Sequence, residues 1–121
     1  HFAYQPATAG VDAPGSQALL KLMRDGNTWI KISGANRVSA TDLPPYDDVK
    51  PMAEALIEAN ADHVMWGTDW PHPNLKSHMP DDGQLVDYVP QIAVTAELQR
   101  KLLVDNPTRL YWPEEADDGA R

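Results

Sequence analysis

Cysteine is absent from all 121 residues, so neither a disulfide framework nor a thiolate metal site can form. Long apolar runs are absent too. No stretch approaches the ~18 residues of a membrane span, and no signal-peptide pattern opens the chain. Basic residues are scarce, with 10 Lys and Arg against 18 Asp and Glu and a formal charge of −8. Such a chain lacks the basic footprint that nucleic acid requires. These absences lead to the expectation of a cytoplasmic protein with neither nucleic acid nor membrane as a partner. Much of the negative charge is local, in Glu114, Glu115, Asp117 and Asp118, so residues 113–121 read as a solvated, disordered tail.

What is present is concentrated in Val64-Met65-Trp66-Gly67-Thr68-Asp69-Trp70-Pro71-His72-Pro73. The run Val64 to Thr68 is short, apolar and bounded by turn residues, as a buried parallel strand would be. Pro71 and Pro73 cannot donate ladder hydrogen bonds, so the strand stops by Trp70. Asp69 therefore falls at a strand's C-terminal end, where barrel and open α/β enzymes place their chemistry. On spacing alone it suits a turn or cap equally well. His72, between two prolines, has the simpler reading of a solvated loop residue.

The rest of the chain alternates helix and strand. Ser16 can cap a helix to about Asp25, with Leu19, Leu22 and Met23 on one face and Gly26 at its exit. Thr28 to Ser33 alternates as a strand, with Trp29, Lys31 and Ser33 facing one way and Ile30 and Ile32 the other. If the first face is a barrel interior, Lys31 is a buried cation in need of a carboxylate. Gly34 to Pro45 is a long loop carrying Asn36, Arg37, Ser39 and Thr41, more polar groups than a simple connector needs. Val49, Met52, Ala53, Leu56 and Ile57 mark an amphipathic helix, with Pro51 in its first turn and Asn60 closing it. His63 precedes the next strand and reads as structural, whereas His78 and Met79 lie in a loop suited to a site's mouth. A weak helix from Gln84 to about Ile92 is interrupted by Pro90, and Thr95 caps another. Asn106-Pro107 restarts a final turn whose Leu110, Tyr111 and Trp112 are expected to pack beneath the sheet. Strands alternating with helices imply parallel βαβ units, hence an α/β fold.

Four segments in this order resemble the amidohydrolase-related family (amidohydrolase 2), nearest its 2-pyrone-4,6-dicarboxylate lactonase-like branch. They are Trp29 to Arg37, Val64 to Pro73, Met79 to Gly83 and Val104 to Tyr111. The resemblance implies a (β/α)₈ TIM barrel, which needs about 250 residues. A 121-residue chain would supply only its C-terminal part, about strands 6–8, over residues 1–112. His1 would end strand six, residues 28–33 would be strand seven, and Val64 would begin strand eight. A missing N-terminal barrel half is then the first partner expected. Without it, three strands leave two open edges and invite self-association as a homo-oligomer.

The same resemblance implies roles. Asp69 would activate water, and His1 would polarise the scissile carbonyl. In branches that use a divalent metal such as zinc, His1 and Asp69 would be ligands; the lactonase-like branch uses none. Arg37 would hold a substrate carboxylate, with Ser39 and His72 also binding substrate; for His72 the alternative is to orient Asp69. The expected activity is hydrolysis of a small carboxylated lactone, ester or amide. The alternatives are a related decarboxylase or a non-catalytic half-barrel remnant. Two departures stand out: Tyr4 and Gln5 occupy the place of an arginine usual in the lactonase branch, and no His-x-His pair occurs.

Overall fold

Two parallel strands organise the fold. β1 (Ile30–Lys31) pairs with β2 (Val64–Met65), Ile30 opposite Val64 and Lys31 opposite Met65. A further bond, from Ile32 N–H to the Met65 carbonyl at 2.8 Å, extends the pairing toward Ser33. The structure, a computed structural model, describes residues 1–118. The expected spans 28–33 and 64–68 contract to these pairs, because each strand has a single neighbour to bond. No strand ends at His1, which instead precedes a 3₁₀ turn, Phe2–Tyr4, so the sheet of the described residues has two strands rather than three. Ile30 and Ile32 are buried as alternation predicts. Lys31, expected to be buried in an enclosed interior, is exposed.

α1 (Pro14–Arg24) and α3 (Lys50–Asn60) lie side by side. They bury Leu19, Leu20 and Met23 of one and Met52, Ala53, Leu56 and Ile57 of the other in a common core. Leu20 takes the place expected for Leu22, which is 51% exposed. α1 begins at Pro14, whose missing N–H costs nothing in a first turn. Ser16 is therefore inside the helix and not its cap; its hydroxyl donates to the Gly10 carbonyl at 2.8 Å. Asn60 Nδ2 donates to the Met23 carbonyl at 3.0 Å and ties the ends of the two helices together. Between β1 and α3 the predicted loop contains one helical turn, α2 (Ala35–Val38).

After β2 come α4 (Asp82–Val86) and α5 (Val89–Ile92), with Pro90 in the first turn of the second, as the predicted interruption requires. α6 (Ala96–Arg100) is capped by the Thr95 hydroxyl, which accepts from Leu98 N–H. It runs through a widened π turn (Lys101–Asp105) into α7 (Asn106–Tyr111). The widening has a cause. Pro107 cannot donate, and its ring crowds a carbonyl one turn earlier. In the π pattern Asn106 N–H bonds back to the Lys101 carbonyl, so the next carbonyl, of Leu102, would need an N–H from Pro107. It finds one outside the helix, on Trp66, at 3.2 Å. Beside it Asn106, fully buried, donates Nδ2 to the carbonyls of Val64 at 2.7 Å and Ala61 at 2.8 Å. Along a strand, alternate residues point their backbone groups the same way. Val64 and Trp66 thus bond away from β1, and the helix covers that edge of β2. Of the two open edges expected, this one is closed.

Two expectations for the C-terminus fail. Tyr111 and Trp112 do not pack beneath the sheet; they are 52% and 51% exposed and meet each other edge to face. The acidic tail is helical over α8 (Pro113–Asp118), with Glu114 and Glu115 in the first turn, where the helix dipole favours them. Residues 119–121 lie outside the described residues.

Asn106→Ala strips two carbonyls of their buried donor. In the intact protein it is expected to cost about 2–4 kcal/mol in denaturant unfolding. A loss within ~0.5 kcal/mol, the range of ordinary surface changes, would mean that the helix does not hold this strand edge.

Candidate active site

The end of β1 and the end of β2 deliver their polar residues to one place. The chain leaves β2 through Trp66 to Thr68 and turns at Asp69, which has a left-handed backbone (φ 71°). The Asp69 side chain is 8% exposed, and each of its oxygens has a donor. His1 Nε2 meets Oδ1 at 2.9 Å, and Arg37 Nε donates to Oδ2. Arg37 stands on α2, one turn beyond β1, and its Nη2 also donates to the Pro73 carbonyl at 2.7 Å. The guanidinium therefore grips both the carboxylate and the loop that carries it.

His1 is oriented from its other side. Nδ1 lies 2.8 Å from the Ser33 hydroxyl, and Ser33 is buried. A carboxylate accepts only, so the contact with Asp69 places the imidazole hydrogen on Nε2 and leaves Nδ1 to accept from Ser33. Gly34 makes this approach possible. Its φ is 64°, and a Cβ there would sit 2.9 Å from His1 Nδ1 and 3.3 Å from Arg37 Cδ. No side chain fits there without moving His1 or Arg37. Tyr4 closes the far side, its ring edge-on to His1 at 5.7 Å between centroids.

Of the residues singled out from sequence, His1, Arg37 and Asp69 are brought together. Ser39 is not. Its hydroxyl bonds Asp48 Oδ1 at 2.6 Å and Thr41 Oγ1 at 2.8 Å, and so braces its own loop. His72 is buried, not solvated, and its ring turns from Asp69 to Asp82, with Nε2 2.8 Å from Oδ1. His78 and Met79 are exposed. His63 stacks on Trp29 at 4.3 Å, beside Thr28 at the start of the β1 segment and so away from the cluster. Ser33 was passed over. Its signal was in the sequence: the last residue of an alternating strand, followed by glycine, faces the same end as Asp69.

As a metal site the cluster does not fit. His1 and Asp69 were the expected ligands, yet their donor atoms face each other directly. The second carboxylate oxygen faces a guanidinium, whose fixed charge would oppose a cation. Among the described residues no group of three or more His, Cys, Asp or Glu side chains gathers. The arrangement suits proton transfer and anion binding instead. It offers a sheltered carboxylate with lone pairs to spare, an imidazole donor and a guanidinium with unused N–H groups.

Among the described residues no helix is long and apolar enough to cross a membrane. A family model described as amidohydrolase matches residues 1–112. A 2-pyrone-4,6-dicarboxylate hydrolase from Comamonas testosteroni is 54% identical over 95% of this chain and 40% of its own length. A 4-sulfomuconolactone hydrolase from Hydrogenophaga intermedia is 42% identical over 92% of this chain and 37% of its own. Among solved structures, a candidate 2-pyrone-4,6-dicarboxylic acid hydrolase from Pseudomonas putida superposes with a TM-score of 0.75 at 31% identity, over 91% of this chain and 40% of that one. The chain thus spans about 40% of the length of the relatives it matches. With all but its last nine residues matched, it belongs to the amidohydrolase family.

Proposed function

We propose that this chain carries the C-terminal part, from the end of strand six through strands seven and eight, of a (β/α)₈ barrel hydrolase that opens a small carboxylated lactone, with β1 as strand seven and β2 as strand eight. The convergence of His1 and Arg37 on the Asp69 carboxylate carries this reading. The two curated relatives described above support hydrolysis over decarboxylation, since their names describe hydrolases, of a pyrone dicarboxylate and of a sulfomuconolactone. Both names describe rings that bear anionic groups, and a guanidinium is suited to hold such a group. The rest of the barrel would come from an N-terminal portion that completes the pocket.

In this mechanism water bonds to a free lone pair of Asp69, which takes its proton as the oxygen attacks the lactone carbonyl. The carbonyl π electrons move onto its oxygen, where His1 Nε2–H can swing from Asp69 to stabilise the charge. Collapse breaks the ring C–O bond, and the proton held by Asp69 passes to the departing oxygen, giving a hydroxy acid. Ser33, bonded to Nδ1, keeps the His1 ring oriented. Arg37 holds Asp69 in place with Nε and turns its remaining N–H groups to the substrate carboxylate.

Asp69→Asn in the intact protein is expected to lower kcat about 10²–10⁴-fold, the usual worth of a general base. Turnover within a few-fold of the parent would remove Asp69 from the chemistry. Arg37→Met is expected to weaken binding of a carboxylated lactone by about 2–5 kcal/mol. The matched neutral lactone should lose much less. Equal losses for both would leave Arg37 as a support for Asp69 and not a substrate contact.

A further inference from the structure

We propose that His72 is a positioning residue: clamped to Asp82 on α4, its imidazole sets the loop that aims the Asp69 carboxylate. The effect on turnover rests on the hydrolase reading above; the clamp itself does not.

The loop after β2 cannot hold its shape from within. Asp69, His72 and Asn74 have φ values of 71°, 56° and 67°, and none of them is glycine. Side chains with a Cβ avoid that region, and such backbone persists only where its surroundings fix it. Inside the loop the bonds are few. His72 N–H donates to the Asp69 carbonyl at 2.7 Å, Leu75 N–H to the His72 carbonyl at 3.3 Å, and Trp70 N–H to the Thr68 hydroxyl at 3.0 Å.

Beyond the contacts on the Asp69 carboxylate itself, two side-chain contacts tie the loop to the rest of the fold. One is Arg37 to the Pro73 carbonyl, from the β1 side. The other is His72 Nε2 to Asp82 Oδ1, from the α4 side. The imidazole is nearly enclosed, and Nδ1 has no partner among the described residues. Its polar bonding therefore goes through Asp82 alone. A substrate-binding histidine would present a nitrogen to the site; this one spends its donor on a helix. Asp82 is well placed to receive it, in the first turn of a helix whose start is fixed by Asp81 Oδ1 accepting from Gln84 N–H at 3.1 Å. Because His72 N–H also holds the Asp69 carbonyl, ring and backbone of one residue join α4 to the residue that bears the carboxylate.

The test uses the intact protein that contains this chain, with His72→Leu, Asp82→Ala, the double variant, and His72→Gln, whose amide keeps a donor for Asp82. Hydrogen exchange at the amides of residues 72 and 75 reads the loop, and kcat and KM on a carboxylated lactone read the site. Both single variants should speed exchange at these two amides at least ~10-fold while α1 and α3 stay protected, and the double variant should add nothing. His72→Gln should return exchange to within about 3-fold of the parent. kcat should fall ~10–100-fold in the single variants with KM little changed, as misplacement of a reacting group does. Should His72→Leu unfold, Asp82→Ala carries the same test, since the Asp82 side chain is 42% exposed. Unchanged exchange at both amides, or additive effects in the double variant, would overturn the clamp. Faster exchange with an unchanged kcat would overturn its role in positioning. A parent protein inert toward every lactone would refute the hydrolase reading, while the exchange data would still decide the clamp.

Discussion

The Asp69 carboxylate is the constraint to which the rest of the site answers. An ionisable group with an almost wholly buried side chain must find donors for its oxygens or lose the free energy of its hydration. Here the donors come from distant parts of the chain. His1 lies in the first turn, Arg37 on a helix after β1, and each reaches Asp69 only because β1 and β2 run parallel with their C-terminal ends level. Charge-assisted bonds of this kind are stronger than neutral ones, so the pairing joins three segments as well as arming one. Ser33 and Gly34 serve the same end, one by orienting the imidazole and the other by giving it room.

The two ends of the strands are built for different purposes. At the far end Trp29 is sandwiched by His63 and by the Arg109 guanidinium, 5.3 Å from its ring. Arg109 also donates to the Asp62 carbonyl. Lys101, at 2.8 Å from Asp62, holds that carboxyl below its ordinary value against the opposing effect of burial. Arg109, Lys101 and Asp62 there are spent on other groups of the chain. Barrel enzymes divide their two faces in this way, with stability at one and chemistry at the other.

The sequence disclosed the parts governed by local rules. Periodicity located α1 and α3, and Thr95 announced its helix. Asp69 and Arg37 were legible because a position after a strand is a position at one end of a sheet. The failures were of another kind. Leu20 against Leu22 is a difference of helix phase that only the neighbouring helix decides. Ser16 looked like a cap because its hydroxyl seeks a backbone group, but the group it found was the Gly10 carbonyl, while Pro14 had already started the helix. Ser39 stood in the right loop and turned the wrong way, toward Asp48. For His72 the sequence offered a role but not its burial. Its burial depends on a loop with left-handed residues that sequence patterns do not forecast.

Pro107 shows what a residue can contribute by lacking a group. With any other amino acid there, the helix would satisfy its own Leu102 carbonyl, and the Trp66 amide would be left facing solvent or a competing chain. Proline withholds that donor, so the helix carries an unmet acceptor along its flank at the height of β2. Secondary structure here is left incomplete on purpose, and the deficit in one element is matched to the deficit in another. The dipeptide Asn106-Pro107 thus acts as an address: it tells α7 and the π turn before it which strand to lie against, and in what register.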